Sequence, residues 1–268
     1  MANADDGLKS FGQIVKACRK RAGITQEKLA NNIGYSLAYV SSVEQGRRHP
    51  SQRFVDLTDA DLNAYGVIII AARQLNRQRG LASWFRPWAD LEEEAVTLNT
   101  YECRSIPGLL QPEPYARALV DAVLPPPAPE EAEARIAARL ERQKLLTRIP
   151  YACFSFIVDE AVILRQTGGP EVTRQLIDHL TECTSLPNVD IQVMPLISPE
   201  HAGLGGPFRL LETGENEWFG YSEGQQSGRV LYDPKDLSRL HQRYAKLRIQ
   251  ALNPADSRGL LMRMRGSL

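Results

Sequence analysis

The segment Gln26–Val43 (QEKLANNIGYSLAYVSSV) limits the fold of its part of the chain more than any other segment. Ala30 is a small residue where two short helices would approach each other. Gly34, four residues on, permits the left-handed backbone of a tight turn. Apolar side chains that would hold the helices at a fixed angle follow the same spacing: Leu29, Ile33, Tyr35, Val40 and Val43. The pattern predicts a helix-turn-helix whose second helix, Leu37–Gln45, would enter a DNA major groove. The alternative is an ordinary helical hairpin.

The flanking residues predict further short helices. Apolar residues recur at helical spacing from Phe11 to Cys18, and Gly23 ends that helix. Thr25 and Ser36 are N-cap residue types at the starts of the two central helices, and Gly46 is a natural residue just after the second. Two more helices are expected, from Pro50 to about Tyr65 and over Val67–Arg79. We therefore predict an all-α domain of about five helices over residues 1–80.

The charge distribution supports a DNA-contacting role for this region. The 268-residue chain has zero net charge, but residues 1–80 hold 12 Lys and Arg against 7 Asp and Glu, whereas residues 81–268 hold 20 against 25. Between Gly7 and Arg53 there are 9 basic residues against two acidic ones, Glu27 and Glu44. A basic head followed by a mildly acidic body is typical of proteins that bind nucleic acid through one domain.

The rest of the chain predicts a different architecture. Residues 81–150 read as a helical connector, with helices over Leu91–Thr100, Tyr115–Val123 and Glu131–Thr147 and a proline-rich segment at Leu124–Glu130. Beyond Pro150 the pattern predicts strands and helices. The expected strands are Tyr151–Val158, Val189–Met194, Phe208–Glu212, Trp218–Glu223 and Arg229–Tyr232. The expected helices are Val172–Thr184 and Leu237–Ala251, followed by a basic tail. The predicted fold class is α+β, with residues 151–268 forming a mixed α/β regulatory or partner-binding domain with a small sheet.

Residues Phe11 to Pro50 resemble the Cro/repressor-type (XRE) helix-turn-helix family. The match is closest at Ile24–Ala30 (ITQEKLA) and Val43–Pro50 (VEQGRRHP). The resemblance implies that Gln26 binds a DNA phosphate, and that Arg19 and Glu44 form a buried, structural ion pair joining the first helix to the recognition helix. It also implies phosphate contacts, which fix register without reading sequence, for Ser36, Tyr39, Arg47 and Arg48.

The positions that usually read bases in this family carry small or apolar side chains here. Leu37 and Ala38 can make apolar contacts, for instance with a thymine methyl, but no bidentate hydrogen bonds. We therefore expect modest affinity per half-site, with specificity that depends on dimer spacing or DNA shape. The full predicted DNA interface is Thr25, Gln26, Ser36, Leu37, Ala38, Tyr39, Ser41, Ser42, Arg47 and Arg48.

Downstream segments resemble a domain of unassigned function that follows this type of helix-turn-helix in many actinobacterial regulators. The main match is Ile106–Leu119 (IPGLLQPEPYARAL), with Pro112 where the family usually has Thr. Further matching segments are Asp159–Arg165, Gly168–Val172, Leu186–Pro195, Gly206–Glu212 and Ala251–Ser257. The family includes WhiJ-like developmental regulators, often encoded beside a small acidic protein in an antitoxin-like arrangement. The resemblance implies DNA binding tuned by a protein partner.

Residues for catalysis or metal binding form no recognisable set in the sequence. Asp159 and Glu160 are an adjacent carboxylate pair, but at a strand-to-helix boundary such a pair favours capping of the helix N-terminus. The glycines of Gly203–Gly206 lack the following Lys and Ser or Thr of a phosphate loop and predict a mobile loop before the next strand. The four cysteines and four histidines are dispersed. We expect idle reduced thiols, no metal, no cofactor and no enzymatic activity.

The sequence as a whole predicts a sequence-specific transcriptional regulator, acting as a homodimer and as a repressor. Its expected partners are a double-stranded DNA operator and a small protein encoded nearby. No apolar run suits a membrane span or a signal peptide, so we expect a cytoplasmic, nucleoid-associated protein with no membrane contact. Two alternatives stay open: an antitoxin-like protein that mainly sequesters its partner, and a small-molecule sensor. The sensor would use a pocket of aromatic residues, which also fit an ordinary core: Trp84, Phe85, Trp88, Trp218, Phe219 and Tyr221.

Overall fold

A computed structural model of the chain describes residues 5–48, 50–77, 80–82, 84–198 and 200–268. The chain divides into two compact units, Met1–Ser83 and Trp84–Leu268. The first unit is helical and the second combines helices with a mixed six-stranded sheet, so the predicted α+β fold class is confirmed.

The first unit contains the five predicted helices within its described residues. They are α1 (Asp5–Arg21), α2 (Gln26–Ile33), α3 (Leu37–Glu44), α4 (Gln52–Asp61) and α5 (Val67–Arg77). Residues 78 and 79, which the sequence places at the end of the last helix, lie outside the described residues, as does His49. The α2–turn–α3 arrangement is the helix-turn-helix that the spacing of Gln26–Val43 predicts.

The helix α4 is shorter than predicted, and the side chain of Asp59 near its end forms hydrogen bonds with the start of the next helix. Its carboxylate accepts hydrogen bonds from the backbone N–H of Gly66 at 2.8 Å and of Ile68 at 2.9 Å. These bonds satisfy donors at the start of α5 that have no partner within the helix. The chain must therefore turn between the two helices, and Asn63 and Tyr65 adopt positive φ there.

The core of the first unit forms where the five helices meet. The apolar residues of the motif are buried, apart from Tyr35, which packs against the core from its edge. They pack with residues of the flanking helices, of which the fully buried ones include Val15, Phe54 and Ile68. The helix-turn-helix is therefore held in place by burial of its apolar face and depends little on helix propensity.

The second unit contains the following helices and strands. The helices are α6 (Arg86–Glu94), α7 (Glu113–Asp121), α8 (Pro129–Gln143), α9 (Glu160–Leu164), α10 (Pro170–Cys183), α11 (Pro234–Gln250) and α12 (Pro254–Gly266), with short 3-10 turns at Gly108–Leu110 and Lys144–Thr147. The strands are β1 (Ala95–Glu102), β2 (Cys153–Asp159), β3 (Val189–Met194), β4 (Phe208–Thr213), β5 (Trp218–Glu223) and β6 (Gly228–Leu231).

The sheet has the strand order β3-β2-β1-β4-β5-β6. The first three strands are parallel to one another, and the last three continue the sheet as antiparallel neighbours. One face packs against α11, where Leu237, Tyr244 and Leu247 meet the sheet residues Tyr101 and Leu210. Side chains alternate between faces along a strand, so Arg209 and Tyr221, which are paired across β4 and β5, point to the opposite face.

Two sequence predictions for this unit are wrong. Residues 91–100 were predicted as one helix, but the helix α6 ends at Glu94 and β1 begins at Ala95, in the middle of the sheet. The region 81–150 is therefore not a purely helical connector. The predicted basic tail is the helix α12, which Asn253 caps by accepting a hydrogen bond from the backbone N–H of Asp256 at 2.9 Å.

No helix within the described ranges is long and apolar enough to cross a membrane.

Candidate nucleic-acid interface

The two helices of the motif are each capped by the residue that precedes them. The Thr25 hydroxyl accepts a hydrogen bond from the backbone N–H of Lys28 at 3.1 Å, and the Ser36 hydroxyl accepts one from that of Tyr39 at 3.2 Å. The turn between the helices passes through Gly34 at a φ of 71°. Caps and turn together set the angle at which α3 leaves α2, which determines how α3 can be presented to a groove.

Arg19 and Glu44, for which the family resemblance implies a buried ion pair, are in bidentate contact. Nε of Arg19 lies 2.6 Å from Oε1 of Glu44, and Nη2 lies 3.0 Å from Oε2. The residues are only 9% and 2% exposed. The remaining Arg19 group, Nη1, donates to the carbonyl of Ile24 at 2.7 Å, and Glu44 also accepts from the Gln26 amide at 2.7 Å. The hydrogen bonds to Glu44 raise the pKa of Arg19.

This network ties together α1, the start of α2 and the end of α3. A buried charge pair is stable when its hydrogen-bonding capacity is filled, and here both partners have further hydrogen bonds. The role of the pair is therefore to hold α3 in place on the rest of the unit, and it leaves the opposite face of α3 free.

Two glycines that the sequence analysis did not use bring α1 against the end of α3. A Cβ on Gly12 would lie 2.5 Å from the carbonyl oxygen of Val43 and 2.6 Å from that of Glu44. Gly46 has a φ of 66°, and a Cβ there would lie 2.6 Å from Cα of Lys9. Both close approaches are to backbone atoms, which cannot move aside without displacing a helix. The absence of side chains at these positions therefore sets the distance between α1 and the recognition helix.

The exposed face of α3 carries the residues predicted to read bases. Leu37 is 49% exposed and Ala38 is exposed, whereas Ser41 and Ser42 are half-buried. Within this set, the two hydroxyls are the polar groups. The face is therefore shallow, and most of its contacts to a base edge would be apolar or single hydrogen bonds.

Gln45 belongs to the same face, and the sequence analysis did not include it. It is exposed, stands four residues after Ser41 and seven after Ala38, and donates a hydrogen bond from Nε2 to the Ser41 hydroxyl at 2.8 Å. Helical periodicity places residues at these intervals on one side of a helix, so the spacing alone could have identified it. Gln45 adds an amide that can form a bidentate contact with adenine.

The residues predicted to contact phosphates lie at the start of α2 and around the two ends of α3. The Tyr39 hydroxyl accepts a hydrogen bond from the backbone N–H of Ser51 at 3.0 Å, which leaves its own O–H free to donate. Cζ of Arg48 lies 4.4 Å from the centre of the Tyr39 ring, and Arg47 is exposed. Gln26 uses one N–H of its amide on Glu44, and its amide carries a second N–H.

The C-terminal unit places the Asp159–Glu160 pair differently from the sequence expectation. Asp159 stands at the N-cap of α9, but its side chain makes no capping bond and accepts instead from the Tyr101 hydroxyl at 3.2 and 3.3 Å. Glu160 accepts from the backbone N–H of Leu196 at 2.8 Å. Burial raises the pKa of Asp159 and of Tyr101. The pair is therefore tied to neighbouring segments, and the expected capping role of Asp159 is wrong.

The six aromatic residues proposed to line one pocket lie on two faces of the sheet. Phe85, Trp88 and Tyr221 pack together, with the Trp88 and Tyr221 rings stacked at 5.1 Å. Trp218 contacts His241 of α11 at 4.3 Å on the other face. The set therefore does not form a single pocket.

Groups of metal-ligating residues are not found within the part of the chain that the structure describes. The four cysteines, Cys18, Cys103, Cys153 and Cys183, are free thiols. The loop with Gly203 precedes β4, and a Cβ on Gly203 would overlap the Tyr101 ring.

The fold and this surface define a DNA-binding regulator of the helix-turn-helix class. A family of helix-turn-helix domains matches residues 10–66, which cover α2, the turn and α3. A second family, described as a domain of unknown function (DUF5753), matches residues 85–263. The second match covers more than half of the chain, and the protein therefore belongs to the DUF5753 family. No curated protein matches the chain significantly.

Proposed function

We propose that the protein is a sequence-specific transcriptional repressor that binds its operator through α3. The observation that carries the proposal is the exposed face of α3, anchored from behind by the buried Arg19–Glu44 pair. A rigidly held helix with small, exposed side chains can lie deep in the major groove. Repression then follows from occupancy of the operator. The resemblance to WhiJ-like regulators suggests developmental or antibiotic-related target genes in an actinobacterium.

The test is selection of DNA sequences by the full chain, followed by fluorescence anisotropy with the selected duplex and with a scrambled duplex. We expect specific binding that weakens steeply with salt, because phosphate contacts release counterions. Arg47→Ala and Arg48→Ala should weaken binding to both duplexes and each reduce the salt slope by about 1. The matched control is Arg239→Ala, since Arg239 is a strongly exposed arginine of the C-terminal unit. A chain that binds both duplexes equally would refute sequence-specific regulation.

We propose that the protein binds DNA as a homodimer. Three apolar side chains of the N-terminal unit, Tyr65, Val67 and Ile70, are exposed around the start of α5. An exposed apolar patch of this kind favours protein contact, and pairing two heads would supply the base contacts that one head lacks. Sedimentation velocity should give a dimer for the natural chain and a monomer for Ile70→Glu. The control Met262→Glu, at an exposed apolar position of α12, should remain dimeric.

The C-terminal unit is proposed to receive a regulating signal from a small protein partner. Segment 195–198 exposes Leu196 and Ile197, the latter 91% exposed, and the hydrogen bond from Leu196 to Glu160 holds it beside α9. Exposed apolar groups fixed in this way suit a protein contact better than a small-molecule pocket. Co-expression with the neighbouring gene product should give a stoichiometric complex that Ile197→Asp disrupts and Ile149→Asp, at a comparably exposed position, does not.

The same co-expression distinguishes regulation from an antitoxin-like role. If the complex binds the operator with a different affinity from the free chain, the partner regulates transcription. If the chain neutralises the partner's effect on growth even when Arg47 and Arg48 are replaced by Ala, sequestration is the main function.

A further inference from the structure

Three arginines of the C-terminal unit lie close together on the sheet face opposite α11, where Arg142 and Arg209 both lie over the Phe85 ring. Arg139 and Arg142 are one turn apart on α8, and Arg209 is on β4. We call this group the arginine cluster. Two carboxylates, Glu92 and Glu223, lie beside it, so the group carries one more positive than negative charge. Arg142 is paired with Glu92, with Nη2 at 2.6 Å and Nε at 2.9 Å from Oε2.

Arg139 is held in the cluster by an uncharged residue. Its Nη1 donates to Oε1 of Gln111 at 2.6 Å, and within residues 84–198 and 200–268 no carboxylate pairs with it. Gln111 is itself buried and is fixed by donating its Nε2 to the carbonyl of Ile106. The geometry therefore orients a guanidinium whose other donors have no protein partner in the described chain.

Arg209 and Tyr221 also present unused donors. Nη1 of Arg209 and the hydroxyl of Tyr221 are buried and, among the described residues, have no hydrogen-bond partner. Tyr221 is 1% exposed. The contact of Arg209 with Glu223, at 3.9 Å, is longer than a hydrogen bond, and Glu223 already accepts from the Trp84 indole at 3.2 Å.

Such an arrangement is unfavourable without a counter-charge. Burial, together with the positive charges of the neighbouring Arg142 and Arg209, lowers the pKa of Arg139 to about 10. Buried donors without partners add the cost of their lost hydration. An arginine fork matches the geometry of a carboxylate or a phosphate, and a phenol O–H can donate to the same group. Arg142 and Arg209 keep 16% and 15% of their side chains exposed, so the cluster borders the solvent.

We propose that the arginine cluster is a binding site for a small molecule that carries an oxyanion group, held by Arg139, Arg209 and the Tyr221 hydroxyl. Gln111 is a positioning residue that aims Arg139 at the ligand, and the Arg142–Glu92 pair forms the adjacent wall. The site lies entirely within the C-terminal unit, so it does not depend on the DNA-binding proposal.

The experiment is thermal unfolding of the full chain, followed by tryptophan fluorescence, in chloride, inorganic phosphate or acetate at constant ionic strength. All three tryptophans, Trp84, Trp88 and Trp218, belong to the C-terminal unit, so the signal reports its unfolding. A ligand at about 100 times its Kd should raise Tm by about 5 °C or more. A rise with phosphate alone assigns a phosphate-bearing ligand, and a rise with acetate assigns a carboxylate.

The variants separate site binding from general salt effects, because phosphate also stabilises proteins by exclusion from their surface. Arg139→Gln and Arg209→Gln should each lose the site-specific part of the rise. Arg135→Gln, on the same helix but paired with Glu131 on the exposed side, should respond like the natural chain. Calorimetric titration of the natural chain with phosphate and with acetate is the second measurement, which needs no variant to fold. The proposal is overturned if neither anion binds, or if both cluster variants respond like Arg135→Gln.

Discussion

Replacing Arg19 by Met should destabilise the N-terminal unit strongly while leaving its apolar packing largely intact. The change removes two hydrogen bonds to Glu44 and one to the Ile24 carbonyl. The Glu44 carboxylate would remain buried, with the Gln26 amide as its residual partner. Removing one member of a buried charge pair costs about 3–5 kcal/mol, and we expect about 4 kcal/mol here because Gln26 compensates in part.

The free energy of unfolding is measured by urea denaturation of the full chain. Far-UV circular dichroism follows both units, whereas tryptophan fluorescence follows the C-terminal unit. We expect Arg19→Met to shift the transition seen by circular dichroism to lower urea. Operator affinity should fall at temperatures where the N-terminal unit is still folded, since α3 loses its anchor to α1.

Two control variants test whether the loss of stability comes from the unpaired Glu44 carboxylate. Arg21→Met, on the same helix, loses hydrogen bonds to the carbonyls of Leu62 and Asn63 and should cost about 1 kcal/mol. Arg19→Met combined with Glu44→Leu removes both charges and should recover most of the stability. The reasoning would be refuted if Arg19→Met cost no more than Arg21→Met, or if the double variant were as unstable as the single one.

Four further outcomes follow from the structure. Helix propensity alone predicts that Gly12→Ala stabilises the protein by about 1 kcal/mol. Because the new Cβ would lie too close to backbone oxygens of α3, we expect instead a loss of about 1–3 kcal/mol of stability and weaker DNA binding. A Cβ at Gly34 would have open space around it, so Gly34→Ala should lose about 1–2 kcal/mol of stability through its left-handed backbone alone. The folded variant should keep its affinity for DNA. Denaturation measures the stability, and anisotropy measures the affinity. Gln45→Ala should weaken specific binding about tenfold, and an unchanged affinity would exclude a reading role. Asp159→Asn should raise Tm near neutral pH, because a carboxyl whose pKa is raised by burial destabilises the fold when ionised. The gain should shrink as the pH is lowered and the natural carboxyl becomes protonated.

The N-terminal unit could be predicted closely because its determinants are local. The cap residues, the turn glycine and the apolar spacing of α2 and α3 all lie within about 20 residues, and each has a specific structural cause. What the sequence could not show is the close packing of Gly12 on α3, since it joins residues 31 or more positions apart. The Arg19–Glu44 contact also joins distant residues, 25 positions apart, and was expected from family resemblance alone.

The C-terminal unit was harder to predict because its sheet is assembled from distant segments. The residues Leu91–Glu94 favour helix, and this pattern was extended into β1, although Val96, Leu98 and Thr100 already follow the alternation of a strand. The missed helix α12 begins after Asn253, an N-cap residue followed by Pro254 at the first helical position, so a local signal for it was present. The arginine cluster combines residues of α8 and β4 and has no local signal.

The two units bury arginine in physically different ways. The difference distinguishes an arginine that stabilises the fold from arginines that bind a ligand. In the N-terminal unit, Arg19 directs donors from all three guanidinium nitrogens to protein acceptors, so its charge is neutralised within the fold and its function is structural. In the C-terminal unit, Arg139 has one hydrogen bond to an uncharged amide, and the Nη1 of Arg209 has none within the described chain. Folding alone does not favour buried cations that face unused donors, because removing such a charge often stabilises a protein. Their presence beside Gln111, in the segment that carries the family resemblance, is explained by a ligand whose negative charge completes the cluster.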